Sequence, residues 1–135
     1  MRPKVLVVDD EATVRQILLL VLNEISETLE TSNGQDALRL ILSEKPSLVL
    51  LDLSMPEMDG LAVLKAALAI DPDLRVVMLT GETDLEVARR ALEAGARAYI
   101  TKPFESKVLI DEIGRLLEDL KGAPASDRPW RVSPC

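Results

Sequence analysis

The chain has 135 residues, 47% of them hydrophobic and 2% aromatic, with a net charge of −7 and no histidine. This length suits one domain with a proper core, which here must be aliphatic. The negative charge argues against nucleic acid as a direct partner. The lack of histidine excludes histidine-based acid–base catalysis, histidine-ligated zinc and the role of histidine carrier in a phosphate relay.

The sequence also lacks the marks of a membrane or secreted protein. No apolar stretch is long enough to span a bilayer, and the first residues lead into a short strand rather than a secretory signal. The single cysteine, Cys135, has no partner for an internal disulfide. We therefore expect a soluble cytoplasmic protein.

Strands and helices alternate along the chain. Apolar runs predict five strands, at residues 4–8, 28–31, 48–52, 74–80 and 96–101. Apolar residues at helical spacing predict a helix after each strand, within 14–22, 37–42, 61–68, 83–95 and 108–120. Parallel strands need such crossovers, and strands that are apolar throughout suit a sheet covered on both faces. The sequence therefore predicts an α/β fold with a doubly wound, five-stranded parallel sheet and five helices.

Polar residues stand where four of the predicted strands end. Asp9 and Asp10 follow the first strand, Asp52 ends the third, Thr80 ends the fourth and Lys102 follows the fifth. The carboxyl ends of parallel strands meet at one edge of the sheet, where ligands bind in folds of this kind. One pocket is therefore predicted to collect three carboxylates, a hydroxyl and an ammonium group.

This set of side chains suits phosphoryl transfer. Three neighbouring carboxylates repel one another unless a cation neutralises them, and an all-oxygen ligand set suits Mg²⁺, which keeps positions for water and phosphate oxygens. A carboxylate is also able to attack a phosphoryl group. We therefore expect Asp52 to accept the phosphoryl group beside Mg²⁺ held by Asp9 and Asp10. Lys102 would supply a positive charge and Thr80 a hydroxyl donor.

These residues resemble the receiver domain of bacterial two-component response regulators. The resemblance covers residues 4 to about 120 and rests on Asp9-Asp10, Leu-Asp52-Leu-Ser-Met-Pro-Glu-Met-Asp-Gly60, Thr80-Gly81 and Lys102-Pro103-Phe104. It implies a flavodoxin-like sheet with strand order 2-1-3-4-5, in a signalling domain rather than an enzyme. It also implies that Asp52 takes its phosphoryl group from the phosphohistidine of a sensor kinase.

The resemblance implies roles for further residues. The backbone carbonyl of Ser54 would join the metal ligands, and Ser54 and Glu82 would flank the phosphoryl group and tune its lifetime. Thr80 and Tyr99 would switch together, with Tyr99 turning inward as Thr80 approaches the phosphate. The Lys102–Pro103 peptide bond would be cis.

The implied partners are a sensor histidine kinase or histidine phosphotransfer protein, and a downstream output domain or target protein. The surface of the fourth helix, fifth strand and fifth helix would change to meet them, and a homodimer is a further option. Neither nucleic acid nor a membrane is expected to bind this domain directly.

Each signal also has a simpler interpretation. Asp9, Asp10 and Glu11 suit the capping of the first helix, Thr80 suits any strand, and Tyr99 suits ordinary packing. What favours a functional interpretation is that all the polar strand ends share one edge and one chemistry.

Three rival classes of protein remain. A flavodoxin-like nucleotide or flavin binder needs a phosphate-binding loop after the first strand, where this chain has three acids. An aspartate-dependent phosphohydrolase has a second acid two residues after the first, where this chain has Ser54. The third rival is a receiver-like scaffold that works without phosphorylation, and such scaffolds usually lack one of the key residues.

The end of the chain differs in composition from the rest. We predict a receiver domain over residues 1–121 and a tail or linker over 122–135, which is rich in turn formers and too short for an output domain. Trp130, the only tryptophan, is expected to anchor the tail on this domain or on a second copy.

Overall fold

The computed structural model describes residues 3–53, 59–81 and 85–118, and the backbone of 131–132. The described strands are β1 (Lys4–Val8), β2 (Glu27–Thr31), β3 (Leu48–Asp52), β4 (Arg75–Gly81), β5 (Ala98–Lys102) and β6 (Arg131–Val132). The described helices are α1 (Ala12–Leu22), α2 (Gly34–Glu44), α3 (Gly60–Ile70), α4 (Leu85–Ala94) and α5 (Ser106–Glu118). Within these ranges no helix is both long and apolar enough to cross a membrane.

The strands form one parallel sheet in the order β2-β1-β3-β4-β5-β6. The predicted order 2-1-3-4-5 is therefore confirmed. The direction of the chain across the sheet reverses at β1, which lies between β2 and β3, and this reversal opens a crevice at the carboxyl ends of β1 and β3.

The core lies on both faces of the sheet because the central strands are buried on both sides. On one face, alternate strand residues pack against α2, α3 and α4 through side chains such as Ala37, Val63 and Ala88. On the other face, the intervening strand residues pack against α1 and α5 through side chains such as Leu18 and Leu109. The helices thus fix the central strands, and with them the positions of the side chains at the strand ends.

The differences from the predicted elements lie mainly at their ends. β5 begins at Ala98 rather than Ala96, although Ala96 is buried as expected. The described part of α4 begins at Leu85, and the predicted start of this helix at residue 83 lies outside the described residues, as does Trp130. The sixth strand was not predicted: Arg131 and Val132 pair in parallel with Ala98 and Tyr99.

Candidate functional site

The structure brings the predicted polar strand ends to one edge of the sheet. Asp9 follows β1, Asp52 is the last residue of β3, Thr80 precedes the last residue of β4, and Lys102 is the last residue of β5. Asp9, Asp52 and Thr80 are each at most 1% exposed, and Asp10 is exposed. The apolar strands therefore hold charged groups at the rim of a low-dielectric core.

Asp9, Asp10 and Asp52 form a cluster in which one carboxylate oxygen of each lies within 4.8 Å of the others. Three negative charges this close repel one another strongly, and two of them have little access to water. The cluster therefore requires a cation.

Lys102 supplies part of the positive charge. Its Nζ lies 3.0 Å from Asp9 Oδ2 and 3.2 Å from Asp52 Oδ2, and 3.7 Å from Glu11 Oε1. Burial by itself lowers the pKa of Lys102, but its hydrogen bonds and charge interactions with Asp9 and Asp52 together raise that pKa above its ordinary value. Lys102 therefore carries its charge at neutral pH.

The loop after β1 is held in place by hydrogen bonds to Asp9. The backbone N–H of Glu11 donates to Asp9 Oδ1 at 2.9 Å, and Arg15 Nη1 donates to the Asp9 carbonyl oxygen at 2.8 Å. Glu11 is the N-cap of α1, and its side chain makes no capping hydrogen bond. Simple helix capping therefore does not explain the acidic run, because Asp9 faces the cluster and Lys102.

The donor set fits Mg²⁺. All three acids offer oxygen, which a hard cation prefers, and two oxygens bound to one Mg²⁺ at about 2.1 Å lie at most about 4.2 Å apart. The observed limit of 4.8 Å is close to that separation. Asp9, Asp10 and Asp52 are thus able to hold one cation with little movement.

Gly60, the first residue of α3, lies close to the backbone around Asp52. A Cβ placed on Gly60 would be 2.9 Å from Leu53 Cα and 3.2 Å from the Asp52 carbonyl oxygen. These atoms belong to the backbone and cannot easily move. The sequence singled out Gly60 only as the end of the motif that contains Asp52, and the structure shows that its missing side chain allows α3 to pack beside the end of β3.

The proposed switch residues lie on the face of the sheet that α4 covers. Tyr99 packs in the same core cluster as Met78, Ala88 and Ala91, and is 9% exposed, so its side chain is turned inward. The Thr80 hydroxyl donates to the Gly81 carbonyl oxygen at 3.3 Å, which is a long and local hydrogen bond.

Of the three remaining predicted features, two residues lie outside the described part of the chain and one peptide bond is observed directly. Ser54 and Glu82 lie outside those residues. The Lys102–Pro103 peptide bond is cis, as predicted.

Two residues near the site were not predicted to take part. Glu11 was interpreted as a possible cap; it is the N-cap residue of α1, and its carboxylate lies within ion-pair distance of Lys102. Thr101 has a buried hydroxyl on the face that α4 covers. Glu11 was detectable from its position beside Asp10, whereas a threonine within a strand gives no such signal.

Comparison with known proteins places these features in context. Residues 5–114 match the response regulator receiver domain family. The chain is 36% identical to sporulation initiation phosphotransferase F of Bacillus subtilis over 118 residues, which cover 87% of this chain and 95% of that protein. It is 39% identical to the DNA-binding response regulator MtrA of Mycobacterium tuberculosis over 126 residues, 93% of this chain and 55% of MtrA. The chain thus spans about half the length of this DNA-binding relative.

Solved structures show the same architecture. The receiver domain of NtrX from Brucella abortus is 38% identical, with a TM-score of 0.81 over 84% of this chain and 98% of that domain. The BeF3-activated receiver domain of DrrB is 30% identical, with a TM-score of 0.80 over 87% of this chain and 99% of that domain.

Proposed function

Because this chain belongs to the response regulator receiver domain family, we propose that it receives a phosphoryl group on Asp52 and passes the signal on through the face around β5. The observation that carries the proposal is the cluster at the strand ends, in which buried Asp52 shares Lys102 with Asp9 beside a third acid. Receiver domains are signalling domains, and this one is proposed to assist only its own phosphorylation and dephosphorylation.

Asp52 is proposed as the nucleophile because it is central in the cluster and ends the buried strand β3. One of its carboxylate oxygens attacks the phosphorus of a phosphohistidine, and the bond from phosphorus to the histidine nitrogen breaks. Lys102, already within 3.2 Å of Asp52, then offers its charge to an oxygen of the phosphoryl group.

Asp9, Asp10 and Asp52 are proposed to hold Mg²⁺, together with the backbone carbonyl of Ser54. The ion would neutralise the acids and the incoming phosphoryl oxygens. The other residues need only position the reactants, because phosphoryl transfer depends mainly on positioning and charge stabilisation.

Thr80 and Tyr99 are proposed to pass the signal on. The Thr80 hydroxyl sits at the end of β4, next to the strand that ends in Asp52, and its present hydrogen bond is weak enough to exchange for a phosphoryl oxygen. Tyr99 lies on the same strand as Lys102, under α4. Phosphorylation would thus shift the population between arrangements of α4, β5 and α5.

The partners proposed from the family are a histidine kinase or histidine phosphotransfer protein and an output domain or target protein, in the cytoplasm. Ser54 and Glu82 are proposed to tune the lifetime of the phosphoryl group. We also propose the division into a receiver over 1–121 and a tail over 122–135, part of which pairs with β5 as β6.

The proposal is tested by the intact mass of the protein after incubation with a small phosphodonor, with and without Mg²⁺. The expected result is a gain of one phosphoryl group that requires both Mg²⁺ and Asp52, with Asp52→Asn as the control. No gain in a folded protein, checked by circular dichroism, would contradict the proposal and favour a scaffold that acts without phosphorylation.

A further inference from the structure

Thr101 carries a hydroxyl that the proposed mechanism does not use. The residue is 5% exposed, and among the described side chains its Oγ1 is one of the buried atoms without a hydrogen-bond partner. A buried hydroxyl without a partner costs free energy, and valine would fill the same space without that cost. The site is therefore expected to offer Thr101 a partner in another arrangement of the protein.

The sheet register identifies that partner. Thr101 of β5 lies directly opposite Thr80 of β4. Strand residues alternate between faces, so Thr101 shares a face with Tyr99, and Thr80 shares the same face with Met78. Two threonines thus stand side by side on neighbouring parallel strands, which lie about 4.8 Å apart, under the helix that covers Tyr99.

The present hydrogen bond of Thr80 leaves it free to change partners. Among the described residues, its hydroxyl donates to the carbonyl oxygen of the next residue, at 3.3 Å. Rotation about χ1 of a threonine moves its hydroxyl between staggered positions without moving the backbone. The Thr80 hydroxyl is thus able to turn either toward Thr101 or toward the pocket of Asp52.

We propose that Thr101 is a positioning residue that binds the Thr80 hydroxyl in a second arrangement of the unphosphorylated protein. The structure holds the arrangement in which the two hydroxyls are apart and Tyr99 is turned inward. Leaving Thr101 without a partner opposes that arrangement, so Thr101 sets how often the protein visits it. This inference rests on the proposed role of Thr80 and adds Thr101 as a residue that competes for the Thr80 hydroxyl.

The contact is tested first without phosphorylation, by a double-mutant cycle of Thr80→Val and Thr101→Val. Denaturant unfolding in chelator gives the folding equilibrium constant of each variant. The expected coupling is about fivefold in that constant, as for one net hydrogen bond. Thr31→Val, which removes another buried strand hydroxyl on the distant β2, is the matched control and should show no coupling to Thr80.

The positioning role is tested by the rate of phosphorylation from a small phosphodonor. Thr101→Val should react up to about fivefold faster than wild type because the competent arrangement is more populated. Thr101→Ser keeps the hydroxyl and should restore the wild-type rate, which a purely structural role for the methyl group would not produce.

Additive effects of Thr80→Val and Thr101→Val would overturn the inference, and so would a Thr101→Ser protein that reacts like Thr101→Val. The cycle could show coupling while the wild-type protein takes up no phosphoryl group. That result would support the contact and contradict only the proposed function. The failures of the two proposals are therefore distinguishable.

Discussion

Replacing Lys102 by methionine tests whether this ammonium group holds the acidic cluster together. The substitution keeps an unbranched side chain, one atom shorter, and removes the charge that lies 3.0 Å from Asp9 and 3.2 Å from Asp52. Both acids are almost fully buried, so they lose a nearby positive charge that solvent cannot readily replace. We expect Lys102→Met to destabilise the protein in chelator and to respond more strongly to Mg²⁺ than the wild type.

The magnitude follows from the burial of the ion pairs. Removing one partner of a buried ion pair costs about 3–5 kcal/mol, and we take the lower end because the Lys102 side chain is 21% exposed. A loss of about 3 kcal/mol lowers the melting temperature of a domain of this size by roughly 10 °C. Mg²⁺ should recover a large part of the lost stability, because the net charge of the pocket is more negative by one unit in the variant.

The assay is thermal unfolding with chelator and again with saturating Mg²⁺. Lys4→Met is the matched control, since Lys4 forms an ion pair of 2.9 Å with Glu44 in which both side chains are more than one-third exposed. That exposed pair should contribute little to stability, and Mg²⁺ should not affect its loss. Equal melting temperatures for the two variants in chelator, or an equal response to Mg²⁺, would refute the reasoning.

Four further results are expected. Asp52→Asn should raise the melting temperature in chelator by a few degrees. At an effective dielectric constant of about 20, each neighbouring acid at 4.8 Å repels Asp52 by about 3.5 kcal/mol, against about 5 kcal/mol of attraction to Lys102 at 3.2 Å. A lower melting temperature would mean that the acids do not share a pocket. Gly60→Ala should destabilise the protein and slow phosphorylation, because its Cβ meets the Leu53 and Asp52 backbone; wild-type stability would show that this backbone yields. Deleting residues 123–135 removes β6 and should lower the melting temperature or change the oligomeric state measured by size-exclusion chromatography. No change in either would contradict a docked tail. Finally, the raised pKa of Lys102 means that its stabilising contribution in chelator is complete below the unfolded-state pKa of about 10.4. It is lost as pH rises through the higher folded-state pKa, so on raising the pH from neutral the difference in stability between wild type and Lys102→Met should shrink in that alkaline range.

The fold was predictable because apolar runs and helical spacing alternate with little ambiguity. Strands such as β3 are apolar at every position but the last, and Asp52 marks where the strand leaves the core. The cluster was predictable for the same reason, since parallel topology alone brings Asp9, Asp52 and Lys102 to one edge. The distances and the sharing of Lys102 among several acids depend on tertiary packing, which the sequence pattern does not contain.

Other features were not predictable because nothing local specifies them. β6 consists of two residues in a segment with turn and linker composition, and it forms only because β5 offers an edge with unpaired backbone groups. The close approach of Gly60 to Leu53 depends on where α3 packs. The unpaired Thr101 hydroxyl depends on register with β4, because a strand threonine is otherwise ordinary.

The charges in the pocket support the proposal that a hydroxyl senses phosphorylation. Three carboxylates and Lys102 give a net charge of −2, which one Mg²⁺ neutralises. Converting the Asp52 carboxylate into an aspartyl phosphate adds about one further negative charge. Because Lys102 already binds Asp9, the added charge favours any nearby donor that is weakly engaged. Thr80 fits that description, since the hydrogen bond that its hydroxyl makes within the described part of the chain is local and 3.3 Å long. A residue that competes for this hydroxyl, as Thr101 is proposed to do, would therefore determine how strongly the added charge changes the face around Tyr99.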